Sequence, residues 1–254
     1  MHADIDSPPH SASGWTDTEL VVRLRRGVGG SVRVDGVLCS APVWFRWDGT
    51  TLWLVGSGAS PVGEDRIRVC VDVGPGVRAT IRSVAATVVY AARGEGTRWD
   101  TEVHVAEGAS LHWQPEPVIL TERARHEAVT TVYAAAGADV LVDEVLVRGR
   151  VDEPPGALRS TLDVRVDGAP ALLTSIDTSI PGWSGPAGVD GAAVVGNRLR
   201  VGRCSPPSGV PTPPASALLH PAPACHLALT AASSTAEARR AREVLLPSAT
   251  PIQT

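Results

Sequence analysis

Three times in the middle of the chain, an alternating run of apolar and polar residues meets a glycine and a small residue, then alternates again. The copies are RVCVDVGPGVRATI, EVHVAEGASLHW and TVYAAAGADVLV, and their turn glycines Gly76, Gly108 and Gly137 stand 32 and 29 residues apart. Alternation at period two sends one set of side chains into a core and the other set outward, as in a half-buried strand. Glycine supplies the positive φ that a tight reversal needs, and the small residue after it starts the next strand. A repeat of roughly 30 residues suits stacked units, each covering the apolar face of its neighbour. The expected fold is therefore all-β: a single domain of stacked strands, β-helix-like, with a short C-terminal helical element.

The clearest strand has Ile67, Val69, Val71 and Val73 alternating with Arg66, Arg68, Cys70 and Asp72. Pattern also predicts strands from Leu20 onward, at 32–34, 51–55, 86–90, 102–105, 110–113, 129–133, 140–147 and 162–166. A helix is expected only over 236–246, where Ala238, Ala241, Val244 and Leu245 are spaced along one face among Glu and Arg. Residues 1–16, polar and rich in Pro and Ser, read as a disordered tail ahead of a β domain over 17–203. The Pro, Ala and Ser-rich stretch 204–224 reads as an extended or mobile linker, because proline removes backbone donors and blocks helix. Residues 225–254 are expected to complete the same domain.

Composition excludes several functions. A net charge of −4, with acidic residues spread along the chain, argues against a nucleic-acid partner. The 23 basic residues are all arginine, so there is no lysine for a phosphate loop, and no nucleotide is expected to bind. The start lacks a basic segment followed by an apolar run, and no stretch approaches the ~20 apolar residues that cross a bilayer. A soluble, cytoplasmic chain with no membrane partner is the expectation. Cys39, Cys70, Cys204 and Cys225 lie too far apart for a zinc ribbon and read as reduced thiols.

Candidate chemistry is sparse. Gly182-Trp183-Ser184-Gly185-Pro186 fails as a nucleophile elbow, since Pro186 stands where the second glycine belongs. Gly56-Ser57-Gly58-Ala59-Ser60-Pro61 reads as a turn. For metal ligation, His220 with Cys225 and His226 could form a loose cluster, and His104 and His112 could converge across the turn at Gly108. The first set reads more simply as an incidental cluster, the second as surface or partner-facing histidines.

Longer blocks carry a family resemblance. Pro61-Val62-Gly63-Glu64-Asp65-Arg66-Ile67 followed by Val71-Asp72-Val73-Gly74-Pro75-Gly76 resembles the signature of the UreD (UreH) urease accessory proteins, in which G-G-D, an alternating strand and G-P-G-A follow in order. The run from Val105 to Leu120 resembles that family's V-x-x-G-A-x-L-E-W-L-P-Q-x-x-I. Gly137-Ala138 through Glu144, Val147, Gly149-Arg150 and Glu153 is similar to a third block, and Asp167 to Leu172 and Gly185 to Gly188 follow in family order. The chain departs from the pattern at Glu64, Val88, His112, Gln114, Glu116, Asp152 and Thr174.

The resemblance implies a protein with no catalytic cycle of its own. It implies UreF, UreG and apo-urease as partners, and nickel in transit through a polar interior rather than a permanently bound cofactor. Carboxylates and water suit a site that must release its ion. The acidic family positions that survive here are Asp65, Glu144 and Glu153, the expected metal-contacting residues. A different class remains open: a stacked-β hydrolase or lyase with Asp and Glu as acid and base, which requires a cleft with close carboxylates.

Overall fold

The computed structural model describes residues 17–91, 94–202 and 212–248. The expected tail over 1–16 and part of the expected linker lie outside them. The first strands are β1 (Asp17–Arg26), β2 (Val32–Cys39), β3 (Val43–Trp47), β4 (Thr51–Gly56), β5 (Arg66–Val73) and β6 (Arg78–Ser83). They are followed by β7 (Thr87–Val89), β8 (Thr97–Val105), β9 (Ser110–Gln114), β10 (Val118–Leu120), β11 (Arg125–Ala134) and β12 (Asp139–Val147). The chain continues through β13 (Ala157–Val166), β14 (Ala169–Asp177), β15 (Val194–Val201), β16 (Ser216–Ala222) and β17 (Cys225–Ala232) to the helix α1 (Thr235–Leu245).

The repeat seen in the sequence is the coil of a solenoid. β5, β8 and β11 lie side by side and parallel in a seven-stranded sheet, and β6, β9 and β12 do the same in a ten-stranded sheet. Each copy crosses from one sheet to the other at its glycine, where Gly76, Gly108 and Gly137 have φ of 65°, 65° and 79°. The crossings stack as well: Ala106 N–H donates to the Val73 carbonyl, and Ala135 N–H to that of Val105. Antiparallel hairpins close the ends, with β14 and β2 at the edges of the first sheet and β15, β17 and β16 at one side of the second. Beyond this path, β10 lies parallel to both β7 and β12.

The core between the sheets is built of Val, Leu and Ile, including Leu20, Val69, Val71, Val103, Leu111, Val132, Val140 and Leu199. A second layer lies outside the ten-stranded sheet, where α1 covers β15 and β17. Its N-cap is Ser234, whose hydroxyl accepts from the Glu237 N–H. Beneath it Asp143 accepts from Arg198 at 2.6 Å and from Arg242 Nε at 2.9 Å, with all three residues buried. A Cβ at Gly196 would overlap the Arg242 guanidinium, so glycine there makes room for that side chain to lie across β15.

One expectation is corrected here. Ser216–Ala222, inside the expected linker, is a strand paired antiparallel with β17. Its one proline, Pro221, does not forbid this, because β16 is an edge strand and needs partners on one side only. Leu218 also packs against Ala228, Leu245 and Leu246.

Candidate functional site

The period-two alternation of β12 assigns its acidic neighbours to opposite layers. Asp143 points under α1, whereas Glu144 points between the sheets, into a cavity of about 390 Å³. Walls of this cavity come from both sheets: Ile67, Trp99 and Thr130 on one side, Trp113, Glu144 and Asn197 on the other. The loop containing Gly56, Gly58, Ala59 and Ser60, expected as a turn, contributes to its rim.

Glu144 is the polar centre of the cavity. Thr130 Oγ1, from β11 in the facing sheet, donates to Glu144 Oε1 at 2.6 Å. Asn197, paired with Glu144 across β12 and β15, donates from Nδ2 to Oε2 at 3.2 Å. Burial pushes its carboxyl above the ordinary value; the bonds from Thr130 and Asn197 oppose that shift, and the nearby Asp143 charge reinforces it. Asn197 Oδ1 is buried and finds no hydrogen-bond partner among the described residues, leaving an oxygen donor beside the carboxylate.

A second, more open hollow of about 420 Å³ lies at the ends of β8, β11 and β13, lined by Arg66, Glu95, Arg125, Glu127 and Asp177 among others. His126 and Leu158 line both hollows. His126 Nδ1 lies 2.7 Å from Thr97 Oγ1, and burial depresses its imidazole to about 4, so the ring is neutral at physiological pH.

The other two expected residues lie elsewhere. Asp65 accepts from Ser60 Oγ at 2.7 Å and from the Val62 N–H at 3.0 Å, tying the loop that precedes β5. Glu153 pairs with Arg150 at 2.8 Å, which helps hold its carboxyl at about 2. Neither lines the cavity. His104 and His112 do not converge: one lies on the outer face of the seven-stranded sheet beside Glu102, the other on the outer face of the ten-stranded sheet. His220 and His226 do meet, with their Nδ1 atoms 2.8 Å apart, while Cys225 faces the core. Sequence reasoning missed Thr130, Asn197 and His126. The inward phase of β11 was the only available signal, and it does not show that polar residues among apolar ones line a cavity.

These features define a class: a β-solenoid with a mainly apolar internal hollow that holds a few polar side chains, its only α-helix among the described residues being a cover for one sheet. Comparison with known proteins supplies the family. A family profile described as UreD urease accessory protein matches residues 41–246. The chain is 31% identical over 242 residues to the urease accessory protein UreD of Frankia alni, covering 78% of this chain and 81% of that protein. It is 29% identical over 236 residues to the UreD of a Parafrankia species, covering 80% of each. With the UreD of Streptomyces coelicolor it shares 34% over 186 residues, 72% of this chain and 66% of the relative. The chain belongs to the UreD family of urease accessory proteins. No helix among the described residues is long and apolar enough to cross a membrane.

Proposed function

We propose that this protein is a non-catalytic cytoplasmic scaffold of urease maturation, which binds UreF and UreG and passes nickel through its interior into apo-urease. Nickel is cargo on this reading, and no nucleotide binds to the chain itself. The observation that carries it is Glu144 in the cavity between the sheets, flanked by the unpartnered Asn197 oxygen. One carboxylate and an amide oxygen make a set of hard donors too small to trap a divalent ion, as transit requires. The second hollow, which shares His126 and Leu158 as lining with the cavity, is bordered by the charged side chains of Arg66, Glu95, Arg125, Glu127 and Asp177. A hydrolase or lyase would need a second carboxylate paired with Glu144. Glu116 also lines the cavity, but the groups bonded to Glu144 are a threonine and an amide, which favours the scaffold.

The test is maturation of urease in cells carrying Glu144→Gln. Nickel content and activity of the urease should fall while the protein still co-purifies with UreF and UreG. Normal nickel loading would eliminate Glu144 from the path, and failure to capture UreF with the unaltered chain would overturn the scaffold reading.

A further inference from the structure

The outer face of the seven-stranded sheet carries a group of side chains that the internal path does not use. Cys70 on β5 stands directly beside Glu102 on β8 in the parallel register, and His104 follows two residues along the same face. One ligand atom from each, the Cys70 sulfur, a Glu102 oxygen and a His104 nitrogen, lies within 4.8 Å of both others. Among the described residues this is the one group of three or more such side chains with its ligand atoms so close together. We infer that Cys70, Glu102 and His104 form a surface site for one borderline divalent cation, of the class of Zn²⁺, Co²⁺ or Ni²⁺.

Several observations support this. All three residues sit on central strands of a sheet, so their backbones are fixed relative to one another. His104 Nε2 already faces Glu102 Oε1 at 2.7 Å. The imidazole is stacked on Tyr133 from the next strand, with centroids 4.7 Å apart and planes 12° apart, which sets its orientation. A tetrahedral ion with bonds of about 2.0–2.3 Å holds its ligands roughly 3.5 Å apart, between the Glu102–His104 distance and the outer limit of the group. Small side-chain rotations therefore suffice, and water completes the fourth position. Thiolate with imidazole selects borderline ions over Ca²⁺ and Mg²⁺.

The surrounding charges are mixed. Arg68 contacts Glu102 Oε2 at 3.2 Å and Glu19 at 3.7 Å, while Asp72 is held by Arg25. Binding converts the Cys70 thiol to a thiolate–metal bond and releases its proton to solvent. Thr101, the chain neighbour of Glu102, faces the cavity, so the cluster and the cavity lie on opposite faces of one sheet. The inference is independent of the transit reading and can fail without it.

The test is titration of the purified full-length chain with Co²⁺. One equivalent should bind with a thiolate-to-cobalt charge-transfer band in the near ultraviolet. Cys70→Ser should abolish the band, and His104→Ala should weaken binding at least tenfold. Single serine replacements at Cys39, Cys204 and Cys225, and Glu144→Gln in the cavity, should leave the band in place. Circular dichroism checks that each variant is folded, and Cys70→Ala serves as a second variant should the serine disturb the sheet. Absence of the band in the unaltered chain at saturation, or its survival in a folded Cys70 variant, overturns the assignment.

Discussion

Replacing Glu144 separates its place in the fold from its place in metal passage. In Glu144→Gln the shape is kept. Thr130 can still donate to Oε1, and rotation of the Asn197 amide would let its unpartnered Oδ1 accept from the new Nε2. Burial is the largest cause of the raised Glu144 pKa, so the folded protein holds that proton more tightly than the unfolded chain. Stability of the unaltered protein must then fall as pH rises from the ordinary carboxylate value through the folded one, by about 1.4 kcal/mol for each pH unit that separates the two. Glutamine has no such loss, so above that window Glu144→Gln should be as stable as the parent or more so. Glu144→Ala instead strands the Thr130 hydroxyl and the Asn197 amide, at about 1–3 kcal/mol. Water entering the cavity of about 390 Å³ moves this toward the lower end. Urea denaturation of the three proteins at mildly acidic and mildly alkaline pH measures these differences. The reasoning is refuted if Glu144→Gln is less stable than the parent by more than about 1 kcal/mol at neutral pH, with no pH dependence of the difference.

Other consequences are open to the same measurement. His126, held at about 4 against an ordinary 6.5, binds fewer protons folded than unfolded. Stability should be lost as pH falls from about 6.5 to about 4, by roughly 3 kcal/mol in all, and His126→Gln should flatten that slope in acid titrations. Asp143→Ala leaves two buried guanidiniums, those of Arg198 and Arg242, without their shared carboxylate, and should cost about 3–5 kcal/mol in chemical denaturation. Gly196→Ala should expel Arg242 from its seat, so its cost in a double-mutant cycle should shrink when combined with Arg242→Ala; strict additivity would show that the two do not interact.

The sequence by itself determined the solenoid. Alternating runs on both sides of Gly76, Gly108 and Gly137 prescribe strand, left-handed turn and strand, and a repeat of roughly 30 residues leaves stacking as the way to cover each apolar face. The terminal helix was equally legible, because its apolar spacing is local. Proline density misled at Ser216–Ala222, since whether a strand is an edge depends on its neighbours and not on its own residues.

The site was decided by tertiary structure. Family blocks singled out Asp65, Glu144 and Glu153 alike, yet the first ties a loop and the third pairs with Arg150, while Glu144 alone among them lines the cavity. Alternation distinguishes the two faces of β12 but cannot say that Asp143 lies under a helix 99 residues away while Glu144 meets Thr130 from the opposite sheet. The meeting of Cys70 with Glu102 and His104 depends on the register of adjacent coils, which hydrogen bonds between β5 and β8 set to the residue. Local sequence encodes a strand and its two faces through steric and solvation preferences of each residue. Which polar groups come together, and how deeply they are buried, is set by contacts between segments distant in the chain.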